Sequence, residues 1–308
     1  MKFTIQQTIV LCIIILVAGC AKKSSVNKND IIISPANTAK PLTAAASANY
    51  AAHAVCDYNY SDTSLTNHGW TKTFEDNFDA GLLKWNIWTG GAYNNELEYY
   101  QLANLQLSNG VLAIVTKKET VTGATTPSDL TPKTFSFTSG RIECASNISA
   151  NTTTPKVRMI ARIKLPAGYG MWPAFWSYGD PWPTQGEIDY LEARGQEPTK
   201  YQTNYFFGRA ANRNLVRNAS GFITADADLT ACYHVYEMEW TQNALTSYLD
   251  GQLVETKTSG GYISNLFGKT ERIALNVAVG GDFFANFNPA LVVPGTMYVD
   301  WVKVFTSK

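Results

Sequence analysis

The acidic residues with the clearest chemical potential lie in one short segment, Gly186-Glu187-Ile188-Asp189-Tyr190-Leu191-Glu192. Alternate side chains of an extended strand point to the same face, so Glu187 and Asp189 would share one face. Glu192 would join them only if the strand contains one extra residue, and we therefore predict a β-bulge at about Tyr190-Leu191. Three carboxyl groups on one face repel one another, which favours a functional site over a solvated face of an edge strand.

Carboxyl groups arranged in this way are what the hydrolysis of a glycosidic bond requires. One group must be ionised to attack the anomeric carbon, and another must be protonated to release the leaving oxygen. Neighbouring negative charge raises the pKa of one member and keeps it protonated near neutral pH. We interpret Glu187 as the nucleophile and Glu192 as the acid and then the base, with Asp189 hydrogen-bonded to Glu187 to orient it.

An aromatic segment precedes these acids and reads Gly170-Met171-Trp172-Pro173-Ala174-Phe175-Trp176-Ser177-Tyr178, followed by Trp182. The faces of Trp rings stack on the C–H surfaces of sugars, and the protein core is the usual alternative place for such rings. So many rings beside a row of acids favour a sugar-binding cleft, with some of the rings in the core.

Together these residues resemble glycoside hydrolase family 16, and in particular its laminarinase-type β-glucanases. The resemblance covers about residues 70–306, and Glu187, Asp189 and Glu192 match the family's E-I-D-x-x-E motif residue by residue. The bulged form of this motif looks more like the motif of laminarinases, agarases and carrageenases than like the unbulged motif of lichenases. Weaker support comes from the segments at residues 70–78, 94–100, 139–142, 161–166, 172–176, 275–281 and 299–304.

The resemblance implies a fold, a reaction and further site residues. The implied fold is an all-β, concanavalin A-like jelly-roll sandwich of two curved antiparallel sheets with a concave substrate cleft, and the implied reaction is endo-cleavage with retention of configuration. Asn95 and Arg141 would contact sugars on the glycone side, and Trp172 and Trp176 would stack on sugars or wall the cleft. As alternatives, Asn95 would only hold a turn and Arg141 would only pair with a surface acid.

Two segments depart from the family pattern. Asn204-Tyr205-Phe206-Phe207-Gly208 carries an aromatic residue where the family usually has a His, and Asp282-Phe283-Phe284-Ala285-Asn286 replaces a Gly-rich or Trp-containing segment. Both departures bear on the substrate more than on the reaction.

A calcium site is also implied by the resemblance. Asp300 alternates in phase with Tyr298 and Val302, so we expect it to point inward, where a buried acid needs a partner or a cation. The resemblance places Asp300 and the Gly110 carbonyl near a structural Ca²⁺. The alternative is an Asp300 bonded to backbone N–H groups. The chemistry itself requires no cofactor.

Period-2 alternation and turn signals predict a single all-β domain over residues 57–308. Asn109-Gly110 and Asp250-Gly251 each lie between two alternating segments, which is typical of hairpin turns. A last strand is predicted over residues 297–305.

The N-terminus predicts export. Residues 1–19 have a Lys, a short apolar run and small residues, as in a secretory signal, and the segment ending at Cys20 resembles a bacterial lipobox. We expect a lipid on Cys20 that anchors the chain to a bacterial membrane, on the outer membrane or cell surface, and a flexible tether over residues 20–56. A plain signal peptide is the alternative. Cys56, Cys144 and Cys232 allow at most one bridge, and their spacing does not choose the pair.

Composition narrows the classes of function. With 25 Lys and Arg against 25 Asp and Glu, the chain lacks the basic surplus of a nucleic-acid binder. We expect a monomeric enzyme whose substrate is a β-glucan, most readily one with β-1,3 linkages. The open alternatives are a galactanase (agarose or carrageenan), a transglycosylase, and a carbohydrate-binding module without turnover. A Ser-His-Asp hydrolase is disfavoured, because no G-x-S-x-G precedes His234.

Overall fold

The computed structural model describes residues 49–216, 220–258 and 261–308, and short strands joined by turns dominate these residues. The predicted signal segment, Cys20 and the tether up to residue 48 lie outside the described residues. The strands are β1 (Asn49–Ala52), β2 (Thr71–Asp76), β3 (Trp85–Ile87), β4 (Glu98–Tyr100), β5 (Leu105–Ser108), β6 (Val111–Val115), β7 (Val121–Ala124), β8 (Pro132–Phe135), β9 (Phe137–Ser139), β10 (Arg141–Ile148), β11 (Lys156–Lys164), β12 (Met171–Tyr178), β13 (Glu187–Ala193), β14 (Lys200–Phe206), β15 (Gly221–Ala225), β16 (His234–Trp240), β17 (Ala244–Leu249), β18 (Gln252–Thr258), β19 (Glu271–Val279) and β20 (Thr296–Ser307).

Helical structure within the described ranges is limited to single turns. These are α1 (Thr63–Thr66), α2 (Ile263–Leu266) and the 3₁₀ turns at Leu102–Asn104 and Pro289–Leu291. No helix in these ranges is long and apolar enough to cross a membrane.

Two large sheets form a sandwich. The first has the strand order β1-β15-β14-β13-β12-β19-β10-β3, and we call it the catalytic sheet. The second has the order β18-β17-β16-β11-β20-β6-β5, with β2 also paired to β20. Apolar residues from both sheets, among them Phe175, Ile188 and Leu275 of the first and Met159 and Tyr236 of the second, belong to one buried cluster. The predicted all-β sandwich is therefore confirmed.

Both predicted hairpin turns are present. Asn109 and Gly110 have φ of 51° and 73°, and Asp250 and Gly251 have φ of 49° and 74°. Positive φ at both central residues matches the right-handed twist of the adjoining strands, which explains the Asn-Gly and Asp-Gly pairs.

The last strand contains a bulge that sequence alternation did not reveal. Along β11, Arg162 faces Trp301 and the next residue, Ile163, faces Val299, so Asp300 is an inserted residue. Val299 is buried in the core, whereas the Asp300 side chain is 31% exposed and pairs with Arg162. The predicted inward orientation of Asp300 was wrong, because alternation changes phase at a bulge.

Residues assigned to the tether by sequence belong in part to the folded domain. β1 pairs in parallel with β15, with Asn49 opposite Phe222. The Ala54 backbone N–H donates to Asp226 at 2.8 Å, and Cys56 is bridged to Cys232. Cys144, the third cysteine of the described residues, has a free, buried thiol. A domain boundary at residue 57 would therefore remove an edge strand and half of a disulfide.

The bridge should contribute strongly to stability because it joins residues 176 positions apart in the sequence. We expect Cys56→Ser to lower the free energy of unfolding by about 3–5 kcal/mol, chiefly by freeing the unfolded chain. Chemical denaturation with and without a reducing agent measures this. Cys144→Ser, which leaves the bridge intact, should remain sensitive to the reducing agent, whereas Cys56→Ser should not. Equal stability of the Cys56 variant and the oxidised parent would contradict the prediction.

Candidate active site

The predicted bulge lies in the middle of β13. Against β14, Asp189 faces Asn204 while Glu192 faces Gln202, so three steps along β13 match two steps along its partner. The extra residue lies at Tyr190-Leu191, as predicted. Glu187, Asp189 and Glu192 consequently share the outer face of the catalytic sheet, and we call these three carboxyl groups the row.

Burial of two consecutive side chains explains the bulge. Tyr190 and Leu191 are both completely buried in the core, and a regular strand would place one of them on the outer face. The Tyr190 hydroxyl also donates to Ser177 Oγ at 2.5 Å, and Ser177 Oγ donates to Glu271 Oε2 at 2.5 Å. Apolar burial and this buried hydrogen-bond chain together hold the bulge.

Indole and amide N–H groups hold two of the three carboxyl groups. Trp182 Nε1 donates to Glu187 Oε2 at 2.5 Å. Trp172 Nε1 donates to Glu192 Oε1 at 3.1 Å, and Gln202 Nε2 donates to Glu192 Oε2 at 3.1 Å. These bonds fix both ends of the row in position.

Asp189 does not form the expected hydrogen bond to Glu187. Its Oδ2 atom is buried and has no hydrogen-bond partner among the described residues. Asp189 therefore acts on its neighbours through its charge or its proton in this structure, rather than through a direct bond.

Burial and mutual repulsion keep protons on the row. Burial raises the pKa of Glu187 to about 8, with the charge of Glu192 acting in the same direction. Burial also raises the pKa of Asp189 well above its ordinary value, and the charges of Glu192 and Glu187 add to the effect. The pKa of Glu192 is raised by burial as well, against hydrogen bonds from Gln202 and Trp172. The row therefore retains a proton near neutral pH, as acid catalysis requires.

Arg141 lies on the same outer face but is paired with an acid. Its Nη2 is 2.7 Å from Glu143 Oε1, and both side chains are largely buried. The guanidinium carbon lies 3.9 Å from the centre of the Trp88 ring and 4.9 Å from that of Trp176. Arg141 thus supports two aromatic walls, and its acidic partner is a buried residue rather than a surface one.

The two predicted cleft tryptophans are both beside the row. Trp176 faces Asp189 across the strand pair, and its Nε1 donates to Asn276 Oδ1 at 2.7 Å. The Trp172 ring stacks on Phe283, with ring centres 4.5 Å apart and planes 11° apart. Trp172 therefore donates a hydrogen bond to Glu192 and also forms one side of the cleft.

Asn95 is hydrogen-bonded to a neighbouring loop. It has a φ of 56°, and its Nδ2 donates to Asp282 Oδ1 at 2.8 Å. This geometry supports the alternative in which Asn95 holds a turn, here one that is tied to the segment containing Phe283.

Both departures from the family pattern lie at the site. Phe206 faces Glu187 across β13 and β14, and its ring centre lies 6.1 Å from that of Trp182. Phe283 covers Trp172 at the Glu192 end of the row.

Sequence reasoning did not assign roles to three polar contacts of the site, which involve Trp182, Gln202 and Asn276. Gln202 and Asn204 alternate with Phe206 on the strand next to the acids, and this spacing was the available signal. Trp182 precedes Glu187 by five residues, which does not by itself indicate a contact. Asn276 lies a hundred residues beyond Trp176, so only the fold reveals their hydrogen bond.

The expected calcium ligands do not fit a calcium ion. Asp300 Oδ2 lies 2.6 Å from Arg162 Nη1, so a guanidinium already neutralises this carboxylate. Gly110 lies beside a different carboxylate, since a Cβ added to it would meet Asp79 Oδ1 at 2.8 Å. Across the described residues, no group of three or more His, Cys, Asp or Glu side chains could hold a metal ion.

Removal of calcium should therefore have little effect on the thermal stability of the protein. We expect the melting temperature to be the same after dialysis against a chelator and after addition of millimolar Ca²⁺. Thermal unfolding followed by circular dichroism checks this. A rise of several degrees with Ca²⁺ would restore the calcium site in spite of the Arg162–Asp300 pair.

Fold and site together define a class of protein. A β-sandwich whose outer sheet face carries a buried, proton-retaining row of carboxyl groups between Trp side chains is suited to cutting glycosidic bonds. The sequence matches the family described as Glycosyl hydrolases family 16 over residues 103–303. The chain belongs to this family and is a glycoside hydrolase.

Relatives and solved structures agree with this assignment. A glucan endo-1,3-beta-glucosidase of Cryptopygus antarcticus is 34% identical over 266 residues, which cover 78% of this chain and 93% of the relative. The structure of an endo-beta-1,3-glucanase from Pyrococcus furiosus is similar with a TM-score of 0.64 and 29% identity, covering 78% of this chain and 95% of that one. The laminarinase catalytic domain of Thermotoga maritima gives a TM-score of 0.64 and 26% identity, covering 78% and 99%.

Proposed function

We propose that this chain is an endo-acting β-glucan hydrolase that cuts β-1,3 linkages with retention of configuration. The bulge in β13 carries the proposal, because it brings Glu187, Asp189 and Glu192 to one face. Similar proteins described as endo-1,3-beta-glucosidase and laminarinase support the substrate.

The first step forms a covalent intermediate. Glu187, whose pKa burial raises to about 8, reacts in its ionised form, with the proton of the row on Glu192. The Glu187 carboxylate attacks the anomeric carbon while Glu192 transfers its proton to the leaving oxygen, so the C–O bond to the leaving sugar breaks and a glycosyl ester forms on Glu187. The N–H groups of Trp172 and Gln202, which bond to the two oxygens of Glu192, stabilise the carboxylate that remains after proton transfer.

The second step reverses these movements. Glu192, now a carboxylate, takes a proton from a water molecule, whose oxygen attacks the anomeric carbon and releases Glu187. Two inversions at one carbon give net retention. Asp189, which lies between the two glutamates in β13, holds its own proton strongly, because burial and the charges of Glu192 and Glu187 raise its pKa well above the ordinary value.

A panel of polysaccharides tests the substrate. The chain should release reducing ends from laminarin, and far fewer from agarose, carrageenan and xyloglucan. Mixed-linkage β-glucan shows whether cleavage extends beyond continuous β-1,3 runs. The protein should begin at or before residue 49, because β1 and Cys56 belong to the domain. Release from a galactan alone would overturn the substrate. Binding of laminarin without release would support a binding module, and longer products would support a transglycosylase.

We also propose that the protein is exported and anchored to a bacterial membrane, at the outer membrane or cell surface, by a lipid on Cys20. Support comes from the lipobox-like segment that ends at this residue. The chemistry requires no cofactor, and the proposed enzyme acts as a monomer.

If Cys20 carries the lipid, its replacement should change where the protein is found. Cys20→Ser should abolish labelling by a radioactive fatty acid, because the thiol that carries the lipid is gone, and should release the protein from the membrane fraction of its bacterial host. The Cys144→Ser variant should stay with the membrane. A Cys20 variant that remains membrane-bound would contradict the anchor.

A further inference from the structure

The residue that directly follows β13 contacts a neighbouring loop. Arg194 lies two residues after Glu192, and its guanidinium carbon lies 3.9 Å from the centre of the Phe283 ring. Arg194 Nε and Nη2 also donate to the Phe283 carbonyl oxygen, at 3.2 and 2.7 Å. Arg194 thus holds both the ring and the backbone of the same residue.

Phe283 in turn covers the indole that bonds to the acid. Its ring lies nearly parallel to Trp172, with ring centres 4.5 Å apart. Trp172 Nε1 donates to Glu192 Oε1 at 3.1 Å. The contacts therefore form a closed circuit that starts at Arg194, directly after β13, passes through Phe283 and Trp172, and returns to β13 at Glu192.

We infer that Arg194 and Phe283 are positioning residues for the acid Glu192, which they serve by holding the Trp172 N–H on its carboxyl group. The inference rests on the proposed glycosidase function. The ring face of Trp172 that Phe283 covers cannot stack on a sugar, so the contact fixes the indole instead. Without it the indole could rotate, and Glu192 would lose one of its two donors.

The pKa of Glu192 also depends on Trp172 and Arg194, and this dependence can be measured. Burial raises the pKa of Glu192 most strongly, hydrogen bonds from Gln202 and Trp172 and the charge of Arg194 lower it, and the charge of Glu96 raises it. The other charged groups of the row are Glu187 and Asp189, whose own pKa values respond to the Glu192 charge. Loss of the Trp172 bond or of the Arg194 charge should therefore raise the pKa of Glu192 further.

A spectroscopic test needs no substrate. In the protein labelled with ¹⁵N-tryptophan, the Trp172 indole resonance, assigned with Trp172→Phe, should titrate with Glu192. Phe283→Ala should move this resonance towards that of a solvated indole and abolish its titration, and Arg194→Gln should shift its midpoint to higher pH. Phe287→Leu is the matched control. Phe287 stacks on Tyr169 and packs on Phe284, so its change costs packing in the same loop without removing a contact of Arg194, Phe283 or Trp172.

Kinetics provide the second readout. Phe283→Ala should lower kcat on laminarin by roughly 10- to 100-fold, with a smaller effect on KM, and should move the alkaline limb of the pH profile upwards. Phe283→Tyr, which keeps the stack, should restore both.

Two outcomes separate this inference from the proposed function. An unchanged Trp172 titration in Phe283→Ala and Arg194→Gln would overturn the inference whatever the enzyme cuts. An altered titration in a protein that cleaves no polysaccharide would overturn the proposed function, while the circuit itself would stand.

Discussion

Replacement of Glu187 by Gln is expected to abolish turnover of laminarin while leaving laminarin binding intact. The amide keeps the size of the side chain and can still accept the Trp182 N–H bond, but it cannot attack the anomeric carbon. Removal of a nucleophile from a catalytic group of this kind costs roughly 10⁴-fold or more in kcat. Reducing-end release and isothermal titration with laminarin oligosaccharides, measured on the same preparation, give the two quantities.

The same variant should be more stable than the parent at alkaline pH. Burial raises the pKa of Glu187 to about 8 in the folded protein. The parent therefore loses stability relative to its unfolded chain as the pH rises from the ordinary pKa of a Glu towards that value. The amide of the Glu187→Gln variant has no charge to bury. The melting temperature of the variant relative to the parent should increase by at least about 2 °C between about pH 5 and about pH 9.

A surface acid provides the control for this variant. Glu75→Gln lies on β2, away from the catalytic sheet, and should leave activity unchanged. Activity retained in Glu187→Gln would move the nucleophile to another residue. A difference in melting temperature that does not grow with pH would show that Glu187 ionises freely in the folded protein.

Replacement of Glu192 by Ala is expected to slow the reaction in proportion to how much the leaving group needs a proton. Turnover of laminarin, whose leaving group is a sugar hydroxyl, should fall by roughly 10²- to 10⁴-fold. With aryl β-glycosides of laminari-oligosaccharides that carry acidic phenols, the rate of the first step should fall far less. Such phenolates leave without a proton. The second step then limits the rate, since no base activates water.

Azide separates the two steps in this variant. A small anion that needs no base should attack the glycosyl ester and restore turnover of the activated aryl glycosides, giving a β-glycosyl azide. Glu192→Gln is the matched variant. Its side chain keeps the size of Glu192 and an oxygen that accepts hydrogen bonds, but it cannot carry the proton. If every leaving group were affected alike, and azide had no effect, Glu192 would not be the acid and base.

Local pattern was sufficient to predict the core of the site. Alternation placed Glu187 and Asp189 on one face, and the position of Glu192 required a bulge that the structure contains at Tyr190-Leu191. The turn residues of two hairpins were equally readable, because positive φ at two successive positions demands residues such as Asn-Gly and Asp-Gly. In each case the information lies within a few neighbouring residues.

Features that depend on distant partners were not readable in this way. Asp300 was misplaced because a bulge in β20 changes the phase of alternation without a signal in its own sequence. The membership of residues 49–52 in the domain depends on pairing with β15, far along the chain. Phe283 could be marked as unusual, but its stacking on Trp172 follows only from the fold.

The anomeric configuration of the first product shows whether Glu187 forms a covalent intermediate. Proton NMR during the first minutes of laminarin hydrolysis, before the released sugar equilibrates, distinguishes the two anomers. We expect the β-anomer to appear first and its signal to be absent with Glu187→Gln. Initial release of the α-anomer would contradict this expectation, because a single inversion would mean that Glu187 forms no covalent intermediate.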